Sequence, residues 1–205
     1  GPAPAERPLH AMTLAEVRAL DCGSLPQPAF PRQVLVPGAG IPTLGEVLRW
    51  VASRPDRDGP PVRLNIEAKS LPGRPDLAPP PDTFARLLAA EIRAAGLADR
   101  AGVQSFDHRI LAAMRQVDPA LPRAVLINAP APDLVAVARD VDAAIVSPRH
   151  DWLTAEQVRT LHAAGLRVVP WTANDPATWG RLVGMGVDGI ITDDPGALRA
   201  FLGDR

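Results

Sequence analysis

From residue 62 onward the chain alternates between short strand-like runs and longer amphipathic stretches, and few folds accept that pattern. Strand-like runs occur at 62–69 (VRLNIEAK), 103–106 (VQSF), 123–127 (RAVLI), 143–147 (AAIVS), 167–172 (RVVPWT) and 189–192 (GIIT). Helical patterns lie near 82–95, 108–117, 132–139, 154–164, 176–185 and 195–202. Neighbouring parallel strands cannot be joined by a tight turn; each needs a crossover, usually a helix. The alternation therefore predicts an α/β fold with a parallel sheet. Two architectures satisfy it, an open doubly wound sheet and a closed β/α barrel. A barrel takes eight units and typically about 250 residues, whereas this chain offers six units in 205 residues. If it is a barrel, its first two strands are expected to be absent from the sequence.

Punctuation supports the helices. Thr154 with Gln157 forms a capping-box pattern and Gly165 follows as a stop. Asp175-Pro176 and Asp194-Pro195 each place an N-cap before a proline in the first turn, and Gly186 closes the penultimate helix. Two further capping boxes, Thr13 with Glu16 and Thr43 with Glu46, open helices in the proline-rich first 60 residues. The chain reads as one domain over 1–205, with an irregular, insertion-like segment over 1–42 and the repeating units with a preceding helix over 43–205. The start at Gly1-Pro2, without a methionine, suggests that the natural beginning lies elsewhere.

Composition removes several function classes. A net charge of −1 with scattered arginines gives no basic face for nucleic acid. No apolar run reaches the roughly 18–20 residues that span a bilayer. A single cysteine, Cys22, excludes an internal disulfide framework and a multi-cysteine metal site, and is expected to be a small packed hydrophobe.

Function in barrels sits where strands end and loops begin. Those ends carry Glu67 and Lys69, Gln104 to Phe106, Asn128, Ser147 to His150, Trp171 to Asn174, and Thr192 to Asp194. In the first run Asn65, Glu67 and Lys69 share one face, and Leu64, Ile66 and Ala68 the other. Lys69 is the single lysine among 22 basic residues. A carboxylate facing the barrel axis suits a hard divalent cation, and a compact ammonium beside it suits a phosphate. The alternative is an edge strand with a solvated polar face. Histidine is sparse: His10 lies in the irregular segment, His108 and His162 fall on helical stretches, and His150 follows a different strand.

"IPTLGEVL", "LNIEAK", "QSFDHRIL", "VVPWTAND" and "GVDGIITDDP", in that order, resemble the motifs of the glycerophosphodiester phosphodiesterases from about Leu14 to Leu202. The resemblance implies a TIM-type (β/α)8 barrel in which RLNIEAKS is the third strand. It implies hydrolysis of glycerophosphodiesters, such as glycerophosphocholine, to glycerol 3-phosphate and an alcohol, in lipid and glycerol metabolism. By the same resemblance Glu67 is a ligand of a divalent cation, Mg²⁺ or Ca²⁺, and Lys69 bears on the phosphate and on charge in the transition state. Trp171 lines the substrate pocket, and Gln104, Phe106 and Asn174 stand at strand ends expected to contribute to it.

The departures from the family pattern coincide with the strands counted as absent. The opening "HRG" motif, the acidic pair after it and the later "HD" motif are missing, and with them both general acid–base histidines and two carboxylate ligands. The 205 residues alone are therefore expected to be inactive. Alternatives are a related barrel phosphodiesterase of the lysophospholipase D or sphingomyelinase D type, or a non-catalytic binding protein on a decayed barrel. The loop "FPRQVLVPGAGIPTL" looks more like exported members of the family, favouring a periplasmic or secreted location over the cytoplasm.

Overall fold

The computed structural model of the protein describes residues 7–30, 32–54 and 61–203; Gly1 and Pro2 lie outside them. After a 3₁₀ turn at Leu9–Ala11 come α1 (Leu14–Arg18) and α2 (Leu44–Ala52). The repeating part follows as β1 (Leu64–Glu67), α3 (Pro81–Ala94), β2 (Ala101–Ser105), α4 (His108–Val117), β3 (Arg123–Ile127) and α5 (Leu134–Asp140). It continues with β4 (Ile145–Pro148), α6 (Ala155–Ala163), β5 (Arg167–Val168), α7 (Pro176–Met185) and α8 (Pro195–Leu202).

All strand pairs are parallel, and the order is β1-β2-β3-β4-β5. That order decides between the two architectures. A doubly wound sheet reverses its winding at a switch point, whereas a barrel wall adds each strand beside the last. Here the winding never reverses.

The run at 189–192 departs from expectation: it is not a ladder strand, although it lies beside β5. Asp188 N donates to Val168 O (2.9 Å), Ile191 N to Pro170 O (2.9 Å) and Ala173 N to Ile191 O (2.9 Å). Pro170 is the reason for the interruption. It accepts from this side of β5 but has no N–H to return. β5 is likewise shorter than the predicted 167–172, with an isolated bridge from Trp171 to Arg149 beyond it.

Alternate strand residues supply the core. Val103, Val125, Val146 and Val168 are fully buried and pack with Ile92, Ile110, Leu111 and Met114 from the helices in one cluster. Each such aliphatic side chain is worth roughly 1.5–3 kcal/mol when taken from water. All three capping boxes form, and Asp175, Asp194 and Gly186 cap as their positions predict. At the foot of β3, opposite the functional ends, the guanidinium of Arg123 is 4% exposed. It donates to the carbonyls of Pro119 (3.2 Å), Leu121 (2.9 Å), Val141 (3.0 Å) and Asp142 (2.9 Å), and to the Asp142 carboxylate (2.7 Å).

Cys22 corrects a sequence expectation. It is exposed, not packed, on the loop between α1 and α2. The loop holds itself with polar bonds: Asp21 accepts from the backbone of Gly23, Ser24 and Gly38, so its neighbours need no core. Among the described residues no helix is long and apolar enough to cross a membrane.

Candidate active site

β1 divides its residues as its alternation requires. Ala68 is buried, and Leu64 and Ile66 pack against the core. On the other face, Asn65 donates from Nδ2 to Gln104 Oε1 at 2.7 Å, and Glu67 lies level with Gln104 in the β1–β2 register. The Lys69 ammonium stands 3.8 Å from the Glu67 carboxylate, with the two side chains 80% and 27% exposed. That separation is too long for a strong hydrogen bond and leaves both groups able to engage a ligand.

Both groups open into a cavity of about 620 Å³, whose walls include Ser70, Phe106, Asn128 and Trp171. The Phe106 and Trp171 rings meet edge to face, with centroids 5.2 Å apart and planes at 87°. Trp171 is fixed from behind by donating its indole N–H to Ser147 O at 2.9 Å. The wall is thus a braced aromatic corner facing a charged rim, which suits a ligand with an anionic centre and an organic arm.

The remaining expected site residues lie elsewhere. Gln104 is 7% exposed and does not line this cavity; it supports β1 through Asn65. Asn174 lines a second cavity of about 790 Å³ with Phe30, Arg32, Asp193 and Asp194. Its amide donates to Asp193 (2.7 Å), and its oxygen accepts from Thr192 Oγ1 (3.1 Å) and from Asp193 N (2.9 Å). Among the described residues no histidine lines the first cavity. His108 contacts Leu126 O, His150 contacts Arg181, and His162 contacts Asp188.

One arrangement had no signal beyond the Asp before a helical stretch. Ser105 Oγ donates to Ala68 O at 2.6 Å and accepts from Asp107 N at 3.0 Å. Asp107 caps α4, pairs with Arg109 at 2.7 Å and accepts from Ser70 Oγ. Its side chain is 1% exposed. The Arg109 guanidinium, helped by Ser70 and opposed by burial, holds its carboxyl down to about 2.

A hard divalent cation takes about six or more oxygen ligands, usually several from carboxylates. Among the described residues no three of His, Cys, Asp and Glu gather into a metal-binding group. Glu67 fits as one ligand of such a set, and the described residues do not complete it.

The sequence profile of the glycerophosphoryl diester phosphodiesterase family matches residues 3–197. The chain belongs to this family. It is 30% identical over 203 residues to a glycerophosphodiester phosphodiesterase of Bacillus subtilis, covering 89% of this chain and 62% of that protein. It is 29% identical over 186 residues to a glycerophosphodiester phosphodiesterase of Caldanaerobacter subterraneus, covering 91% and 69%. A solved structure from Silicibacter pomeroyi matches with a TM-score of 0.83 at 30% identity, covering 93% of this chain and 68% of that one. The chain thus spans about two thirds of the length of these phosphoric diester hydrolases. The family fold is the β/α barrel, of which the non-reversing sheet is a wall.

Proposed function

We propose that this chain carries the phosphate-binding wall of a glycerophosphodiester phosphodiesterase. The reaction is hydrolysis of a glycerophosphodiester, such as glycerophosphocholine, to glycerol 3-phosphate and an alcohol. The observation that supports it most is the convergence of Glu67, Lys69, Phe106 and Trp171 on one cavity at the strand ends. The two Bacterial relatives named for this activity support the substrate class.

In this reading Lys69 binds the anionic phosphodiester and opposes the charge that builds on its oxygens as the nucleophile adds. A fixed positive group aimed at developing charge is worth more in the transition state than in the ground state. The Phe106–Trp171 corner holds the organic arm and excludes water on that side. Glu67 would be one carboxylate ligand of a Mg²⁺ or Ca²⁺ ion, which when bound neutralises phosphate charge. The general acid and base are not among the groups around this cavity, so the 205 residues alone should not turn over substrate. The likeness of the loop before α2 to exported relatives supports a location outside the cytoplasm.

The test is choline release by the complete natural protein from glycerophosphocholine, lysophosphatidylcholine and sphingomyelin, with glycerol 3-phosphate assayed as the second product from glycerophosphocholine. Glycerophosphodiesters should be preferred, and a chelator should abolish release. Glu67→Ala should lower kcat by about a hundredfold or more, and the isolated 205 residues should show none. Preference for lysolipid or sphingolipid, or wild-type turnover by Glu67→Ala, would overturn the reading.

A further inference from the structure

The ladder between β1 and β2 ends at Glu67, yet the lysine that must meet the phosphate lies two residues beyond it. What holds that extension is a set of bonds from the last residues of β2 and from the loop after it. Ala68 is tied at both backbone groups: its N donates to Gln104 O at 2.9 Å, and its O accepts from Ser105 Oγ at 2.6 Å. Ser70 is tied by its hydroxyl to the buried Asp107 carboxylate. Asp107 is itself fixed by Ser105 Oγ through its backbone N–H, by Arg109, and by its place as the cap of α4. Lys69 thus sits between two anchored residues.

The Lys69 side chain has no comparable support. It is 80% exposed, and it pairs with Glu67 at 3.8 Å. A lysine carries a flexible four-carbon stem, and at 80% exposure packing does little to choose among its rotamers. The direction in which it leaves the backbone therefore decides where its ammonium spends its time. A shift of about 1 Å at a reacting group can cost on the order of a hundredfold in rate.

We infer that Ser70 and Asp107 are positioning residues, which aim Lys69 into the cavity by clamping the backbone on its C-terminal side while Ser105 clamps the N-terminal side. The inference rests on the role of Lys69 proposed above. Neither Ser70 nor Asp107 needs to touch the substrate. Their bond spans residues 37 apart in sequence, so it couples the β1–α3 loop to the β2–α4 loop. It also places Phe106, which lies between Ser105 and Asp107, in fixed relation to Lys69.

A double-mutant cycle in the complete protein separates aiming from general support of the fold. Ser70→Ala should lower kcat/KM on glycerophosphocholine by about tenfold or more, with the melting temperature little changed, and Ser70→Thr should restore most of the rate. In the Lys69→Ala background the same Ser70→Ala change should cost less than about twofold, because there is no ammonium left to aim. Asp107→Asn should show the same dependence on Lys69. A parallel cycle read by calorimetric binding of inorganic phosphate needs no turnover. Ser70→Ala should weaken phosphate in the Lys69 protein and leave it unchanged in the Lys69→Ala protein. Wild-type rates in Ser70→Ala, or equal losses in both backgrounds, would overturn the inference. Absent turnover with an intact phosphate cycle would instead overturn the proposed reaction and keep the positioning.

Discussion

Glu67 and Lys69 show how much two residues on one strand face can say. Alternation alone places both on the side away from Leu64, Ile66 and Ala68, and the structure finds them opening into the same cavity. Trp171 and Phe106 were legible as strand-end residues, but their edge-to-face contact was not, because it joins positions on non-adjacent strands. Asp107 was legible only as a residue before a helix, since its partner Ser70 is remote in sequence. It also yields a pH prediction. Its folded carboxyl is lowered from the ordinary 3.8 to about 2, chiefly by Arg109. A depressed carboxyl stabilises the fold fully above its unfolded value and ceases to do so as pH falls through the folded one. Asp107 should therefore contribute on the order of 2 kcal/mol at neutral pH, lost between about pH 4 and pH 2. Thermal melts across that range should fall more steeply for the wild type than for Asp107→Asn. Parallel curves would contradict the assignment.

Among the elements, the helix caps and five of the six strand-like runs were legible, whereas the fate of the sixth run and the exact strand ends depended on long-range pairing. The capping boxes at Thr13, Thr43 and Thr154 form because donor and acceptor lie within one turn. The sixth strand-like run failed as a ladder because Pro170, on its neighbour, lacks the N–H that pairing requires. The sequence contained that proline, but only the register shows which side it faces. Arg123 was unreadable for the same reason: its carbonyl partners come from the turns before β3 and after α5. Replacing it by methionine would leave the buried carbonyls of Leu121 and Val141 without this donor, each costing about 1–3 kcal/mol. Arg123→Met should lower stability by about 3 kcal/mol or more in denaturant melts, while KM of the folded complete protein stays unchanged. A loss below about 1 kcal/mol would show that water replaces the guanidinium.

For the molecule as a whole, the sheet order carries the architecture. Five strands in sequential order make a barrel wall, and among the described residues the outer edges of β1 and of the 189–192 segment have no strand beside them. Unpaired edges of this kind invite association. The barrel was legible because βα periodicity repeats six times; the choice against a doubly wound sheet needed the strand order or the family motifs. The second cavity, where Asn174 meets Asp193 and the α1–α2 loop, was not legible, because an irregular loop leaves no periodic trace of where it packs. The central claim is that the end of β1 delivers a phosphate-binding ammonium to the reaction. Its most direct test is glycerol 3-phosphate release from glycerophosphocholine by the complete protein carrying Lys69→Ala. The account predicts a fall in kcat/KM of about a hundredfold or more with the melting temperature unchanged; a rate within about twofold of wild type would contradict it.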